Sequence, residues 1–467
     1  MTDSDSNTAV SGETLEEKTT GGVANTNRTA ISGTLGTALE FYDFAIYGLA
    51  AGTVFKEIFF RGTDLSLSLF ASLGTFAIGY FARPVGGIIL GAIGDRVGRK
   101  AILQWTVIIM GLASTLIGLL PTYASIGLWA PAMLVLLRIV QGIGAGAEMA
   151  SSSALLVETA PRQKRGFFGA MVAYGTNGGT LLAAVVWILI NKLSDDDFYS
   201  WGWRMPFLLS IGITVFGLWV RRNVQESPAY LANVKQGKTL GLVENYVHII
   251  KNSRKTVLAC ILLRWGENGI STIFLVFLVG QSGAISHQNP QIGSLAVLIS
   301  AVFAMAMVPV AGFFSDRIGR RKCYLILSLL QFIFSLPVIY FLYSGQSVLI
   351  VLAFILPYSI GVTGMYAVQS AWMVELFGAQ TRLAAITSSK ELGALTSGGI
   401  APVICAALLA AYGDLWAIGG YMMLLSLVSI VAAVILPETA GRDLVDDNDA
   451  IFKLKKTRRG AKEFNLS

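Results

Sequence analysis

The chain has 467 residues, 54% of them apolar, and its 35 basic and 28 acidic residues make up only 13%, about half the charged share of an ordinary soluble domain. That balance, with a mean hydropathy of +0.64, excludes a disordered chain and leaves too few charges to coat several water-soluble domains. Lipid is the expected solvent, and at about 20 residues per crossing the apolar content suffices for about twelve helices.

Residues 1–27 are rich in Ser, Thr, Asn and Asp and lack an apolar core, so they read as a disordered cytoplasmic tail rather than a signal peptide or a span. Apolar runs follow at 29–55, 67–93, 101–120, 129–156, 167–191, 204–220, 257–282, 291–314, 323–343, 347–373, 383–411 and 415–437. Each predicts a helix, because backbone groups in hydrocarbon must bond within their own segment and none of the runs alternates as a barrel strand does. The fold class is therefore an all-α polytopic membrane protein. The polar stretch 221–256 reads as a cytoplasmic linker between a half at 28–220 and a half at 257–437, with a second tail at 438–467. With both tails and the even-to-odd connections on one side, the opposite side holds only Lys56, Arg61, Lys192 and Arg204 of the basic residues outside the spans. The positive-inside rule then places both termini in the cytoplasm and the spans in an inner membrane. The net charge of +7 serves topology and anionic lipid, and no folded basic domain for nucleic acid is visible. Trp129, Trp187, Trp201, Trp203 and Trp416 fall near outer span ends, as interfacial belt residues should. Cys260, Cys323 and Cys405 lie in apolar runs and read as packing thiols.

Two segments repeat half a chain apart: Gly91-Ala-Ile-Gly-Asp95-Arg96-Val-Gly-Arg99-Lys100 and Gly312-Phe-Phe-Ser-Asp316-Arg317-Ile-Gly-Arg320-Arg321. Each follows the second span of its half. Glu158 to Arg165 and Glu375 to Arg382 repeat a second spacing after the fourth spans. Two six-helix halves with substrate held between them are the layout of an alternating-access carrier.

The D-R-x-G-R loops, Glu226-Ser-Pro228 and Pro437-Glu-Thr439 resemble the major facilitator superfamily across essentially residues 28–440. More narrowly, Glu40-Phe-Tyr-Asp43-Phe, Ala82-Arg83-Pro84, Arg138-Ile-Val-Gln141-Gly142, Trp201-Gly-Trp203-Arg204 and Gly398-Gly-Ile-Ala-Pro402 are similar to the metabolite:proton symporter family, whose cargo includes shikimate, 2-oxoglutarate, citrate, proline and betaine. The resemblance implies the twelve-helix major facilitator fold, acting as a monomer with the lipid bilayer, a small-molecule substrate and protons as its partners.

Nine charges fall inside the spans: Glu40, Asp43, Arg83, Arg138, Glu148, Arg264, Glu267, Lys390 and Glu391. At about 3 kcal/mol each, exposing them to lipid would exceed a net stability of about 5–15 kcal/mol. They must pair or line an aqueous cavity, and a surplus carboxylate there is a natural proton carrier. Glu40, Asp43 and Tyr47 share one helix face. Positions matching Asp43 and Arg138 form the proton-coupling pair in sugar-type members, so the resemblance makes Asp43 the proton acceptor and Arg138 the cation that tunes it; the alternative is a permanent ion pair that fixes packing. Glu40 with Arg83 is open to the same two readings. Glu148, beside Ser151, Ser152 and Ser153, is a second proton site or an inner-gate partner. Arg264, Glu267 and Asn268 are the polar group of the C-terminal half, with Arg264 either an anchor for a substrate carboxylate or the partner of Glu267 at i, i+3. Lys390-Glu391 departs from the family, which commonly has Tyr-Gln there; neighbours diverge around a helix, so the two should meet different partners. Gln141, Tyr174, Asn177, Tyr358, Tyr366 and Gln369 complete the cavity candidates by polarity.

Asp95, Arg96, Arg99, Asp316, Arg317 and Arg320, with Glu158, Arg165, Glu375 and Arg382, read as cytoplasmic gate residues, since a carboxylate at a helix end can meet a neighbouring helix N-terminus in one state and release it in another. The blander reading is a topology-setting charge cluster. Gly142-Ile-Gly144-Ala-Gly146 is a close-packing surface rather than a nucleotide loop. No phosphate loop, zinc motif or cofactor signature is visible, and His248 and His287 lie in predicted loops, so carboxylates must carry the proton. The expected function is secondary import of a small polar metabolite, an organic acid by preference, together with protons. Proton-coupled export of drugs or metabolites, or import of proline or betaine, are the alternatives; an enzyme is not expected.

Overall fold

A computed structural model describes residues 15–60, 65–222, 226, 231, 242–286, 292–446 and 448–451. Helices make up most of these residues, joined by short turns, and no strand occurs among them. The spanning helices are α1 (Leu15–Thr53), α2 (Leu65–Val97), α3 (Arg99–Leu119), α4 (Trp129–Thr159), α5 (Arg165–Ile190) and α6 (Met205–Arg221), then α7 (Val243–Ser282), α8 (Ile292–Ile318), α9 (Arg320–Tyr343), α10 (Ser347–Leu376), α11 (Arg382–Tyr412) and α12 (Trp416–Ile435). Among the described residues, eleven helices are long and apolar enough to cross a membrane. The remaining one, α1, carries Glu40, Asp43, Tyr42 and Tyr47, and its polar face explains why its apolarity is lowest. The fold is the all-α twelve-helix arrangement expected from the sequence.

Differences from the sequence reading are local: α1 starts at Leu15, so residues 15–27, read as part of a disordered tail, extend the first helix. α7 begins at Val243, inside the stretch read as linker, so His248 lies within a helix that widens into a π-turn at Ile249–Ser253 rather than in a loop; His287 falls outside the described residues. Trp187 and Trp203 are not belt residues. They are 4% and 0% exposed, because Trp203 packs edge-on to Phe55 and Phe59, and Trp187 edge-on to Phe198, plugging one end of the N-terminal half. Trp129, Trp201 and Trp416 do face outward. All three cysteines are buried and free.

Helix axes approach closely where glycine removes the side chain. A Cβ on Gly142 would lie 2.5 Å from the Gly79 carbonyl oxygen, and one on Gly146 would lie 2.3 Å from that of Arg83, so α2 and α4 touch backbone to backbone. Gly144 fits against Ile109 and Met110 of α3. In the C-terminal half the helices around the centre are distorted: π-turns occupy Trp265–Gly269 of α7, Ile355–Val362 of α10 and Leu395–Gly399 of α11. Gly266, Pro357 and Gly398 mark these places in the sequence, and the wider turns redirect Glu267, Asn268 and Tyr358.

Candidate functional site

All nine charges within the spans are buried, each 5% exposed or less. In the N-terminal half, Asp43 does not meet Arg138 directly, which corrects the pair inferred from resemblance. Asp43 accepts a short hydrogen bond from the Ser210 hydroxyl of α6, and Ser114 of α3 also lies within hydrogen-bonding reach. Arg138 donates to Gln141 Oε1 at 2.6 Å, and Gln141 Nε2 donates to Ser114 Oγ at 2.7 Å. The guanidinium and the carboxylate are therefore joined through Gln141 and Ser114. Arg138 also stacks over the rings of Tyr47, 4.0 Å away, and Phe44, 4.5 Å away, a position that a desolvated cation favours. Gly79 makes room for it, since a Cβ there would sit 2.4 Å from Arg138 Nε. Tyr47 donates to Thr75 Oγ1 at 2.7 Å.

Arg83 crosses between the halves. Its Nε donates to Glu391 Oε2 of α11 at 2.8 Å and its Nη2 to Oε1 at 3.3 Å, while Nη1 lies 3.7 Å from Glu40. Lys390, the next residue, turns elsewhere: its ammonium donates to Ser153 Oγ at 2.9 Å and to the Met149 carbonyl at 3.5 Å, both on α4. The two neighbours thus meet different partners, as helix geometry requires. Glu148 accepts from Ser152 at 3.0 Å.

In the C-terminal half, Arg264 pairs with Glu267 at 3.2 Å. Gln369 lies beside Glu267 and Ser271 beside Tyr358. Tyr366 reaches across to Met149 of α4, hydroxyl to sulfur at 2.9 Å. Asn177 bonds the Ala173 carbonyl of its own helix at 2.8 Å, and Tyr174 is half-buried. The Asn177 amide is thus tied to its own helix.

The basic end of the bundle is closed by a lattice across the two halves. Asp316 accepts from the backbone N–H groups of Gly166, at 2.7 Å, and Phe167, at 2.9 Å. These are orphan donors in the first turn of α5, so a carboxylate of one half caps a helix of the other. Arg320 binds Asp316 at 2.8 Å and Glu375 at 3.1 Å, and Arg382 binds Glu158 of the other half at 2.8 Å. Gly166 and Gly312 let α5 and α8 meet, while Gly87, Gly91 and Gly94 of α2 seat Thr387, Ala384 and Leu383 of α11. Arg96 and Arg317 are exposed, and Arg317 lies over the ring of Phe313, 4.2 Å from its centroid. The side chains of Asp95 and Arg99 lie outside the described residues.

Two motif acids play matching structural parts. Glu226 accepts from the N–H of Lys100 at 3.2 Å, and Glu438 from those of Arg320 and Arg321 at 2.8 and 3.0 Å. They cap α3 and α9, corresponding helices of the two halves. Beyond Glu438, residues 439–446 and 448–451 are laced over the basic end. Arg162 and Arg165 of the N-terminal half bond the carbonyls of Gly441 and Arg442, and Arg382 bonds that of Leu444 at 2.7 Å. Asp449 accepts from Gly378 N at 3.1 Å and Thr256 Oγ1 at 2.9 Å.

Helices in two matched halves, buried charges at their junction and a lattice that closes one end define a membrane carrier rather than an enzyme. A model of the Sugar (and other) transporter family matches residues 29–241 and 243–449, and the chain belongs to that family: it is a multi-pass secondary transporter of the major facilitator superfamily. It is 36% identical to the "Putative transporter YdfJ" of Escherichia coli over 90% of this chain and 98% of the relative. Identity is 30% to the shikimate transporter of E. coli (89% and 96% covered) and 29% to the proline/betaine transporter of Salmonella typhimurium (91% and 86%). Among solved structures, the proton:xylose symporter XylE bound to 6-bromo-6-deoxy-D-glucose superposes with a TM-score of 0.76 at 17% identity, covering 91% of this chain and 98% of that one, which shows the shared fold.

Proposed function

We propose that the protein imports a small organic acid together with protons across an inner membrane, both termini facing the cytoplasm. The observation that carries the reading is the buried relay Arg138–Gln141–Ser114–Asp43. It couples an ionisable acid near mid-membrane to a cation on another helix, so a proton on Asp43 is felt at Arg138 without direct contact. Arg264 and Lys390 are the cations on the C-terminal side of the junction, and an acid cargo would engage Arg264 in competition with Glu267. Kinship with a shikimate transporter supports an acidic cargo. A zwitterionic cargo is the second reading, favoured by kinship with a proline/betaine transporter and by carboxylates standing beside the cations. The basic lattice is the cytoplasmic gate, closed in this conformation.

The test is uptake of labelled shikimate, citrate, 2-oxoglutarate, proline and betaine into proteoliposomes under an imposed pH gradient. At least one cargo should accumulate only with the inward proton gradient, and Asp43→Asn should abolish accumulation while leaving counterflow exchange. Accumulation by Asp43→Asn equal to wild type, or no response of any cargo to the gradient, overturns the reading.

A further inference from the structure

Glu40 is 3% exposed, and neither of its carboxyl oxygens accepts a hydrogen bond from an N–H or O–H donor. Arg83, 3.7 Å away, has committed Nε and Nη2 to Glu391. The carboxyl of Glu148 on α4, a helix packed against α1, lies within hydrogen-bonding reach of Glu40. Two carboxylates in contact offer each other no proton, and in a site shielded from water their charges repel strongly. One proton converts the repulsion into an O–H···O bond.

The surrounding charges agree. The groups facing this pair are Arg83 from α2, Lys390 and Glu391 from α11 and the Tyr366 hydroxyl from α10. Lys390 and Tyr366 also face Arg264 and Glu267 of α7, which pair with each other; with them included, Glu40, Glu148, Glu267 and Glu391 stand against Arg83, Arg264 and Lys390, so the cluster carries one negative charge too many. A single proton makes it neutral, which a buried cluster requires. Asp43 lies outside this count, held by Ser210.

We propose that Glu40 and Glu148 form a second proton site, in which the two carboxyl groups share one exchangeable proton at the junction of the halves. Its part in transport rests on the proton-coupled reading above; its existence does not. Opening of the basic end draws α11 away from α2 and α4, so that Arg83 leaves Glu391 and becomes available to Glu40. The proton on the pair is then replaced by the guanidinium and departs.

The experiment is infrared spectroscopy of purified protein in lipid vesicles at neutral pH, with hydrogen–deuterium exchange to identify carboxylic C=O bands. Asp43→Asn is the background, which silences the first site. That protein should retain a deuterium-sensitive carboxylic band, and adding either Glu40→Gln or Glu148→Gln should remove one component of it. Glutamine can donate the bond that the shared proton makes, so both variants should melt within a few degrees of the background protein, and either suffices if the other fails to fold. Absence of the band in the Asp43→Asn protein, or its survival in both added variants, overturns the proposal. Gradient-driven uptake is not read, so the proposal and the proton-symport reading fail separately.

Discussion

Gly79 shows how much a single hydrogen atom decides at the residue scale. A methyl group there would sit 2.4 Å from Arg138 Nε, so Gly79→Ala must push the guanidinium off the rings of Tyr47 and Phe44. Overpacking of this kind costs about 1–3 kcal/mol, so the purified variant should melt lower and lose most of its uptake. Arg83 and Glu391 call for a different measurement. Removing one partner of a buried pair costs about 3–5 kcal/mol, while removing both is often close to neutral. Glu391→Gln should therefore destabilise the protein strongly and Arg83→Gln/Glu391→Gln much less, a non-additivity that thermal melts of the two singles and the double would reveal. The charges of this site were legible because any charge in an apolar run needs an explanation. The hydroxyls of Ser114 and Ser210 were not, because a serine in a membrane helix more often bonds its own backbone, as Ser388 does to the Ala384 carbonyl. Only the superposition of α1, α3 and α6 gives the two serines a common target. The expected contact of Asp43 with Arg138 failed for the same reason: depth along two helices can be read from numbering, but the rotation that aims their side chains cannot.

At the scale of the element, termini matter more than interiors. α9 starts at Gly319, whose φ of 96° lies in the region open to glycine, and its first N–H groups are satisfied by Glu438. Glu438→Ala should cost about 0.5–2 kcal/mol, the usual worth of a cap. Melting of the purified variant checks this, and Glu438→Gln, which keeps an acceptor, should recover part of the loss. Gly98, with a φ of 102°, opens α3 in the same way. The repeated D-R-x-G-R motif made this symmetry visible in the sequence, including the capture of a neighbouring helix start by Asp316. The π-turns of α7, α10 and α11 were legible only as clusters of glycine and proline, which mark where a helix is weak without saying how it will rearrange.

For the whole molecule, the two halves are held at one end by side-chain-to-backbone bonds, the Glu158–Arg382 ion pair and glycine contacts. Gly166→Leu cannot be accommodated, since even a Cβ would lie 2.2 Å from Ser315 Oγ. The closed lattice should then fail to form. A Ser315→Cys reporter, buried at present, should react with a membrane-impermeant thiol reagent applied at the basic end in that variant and stay protected in its parent, and uptake should fall sharply. The division into two halves was plain from the repeat, whereas residues 439–446 and 448–451 read only as part of a tail: their sequence is polar, and their partners are supplied by the surface beneath.

That strap has a consequence for how the molecule is made. Its residues leave the ribosome after all twelve helices, yet they bond Arg162 and Arg165 of the first half as well as Arg382 of the second. The strap's bonds can therefore form only once the last helix has been synthesised, and one short segment then ties side chains of both halves together.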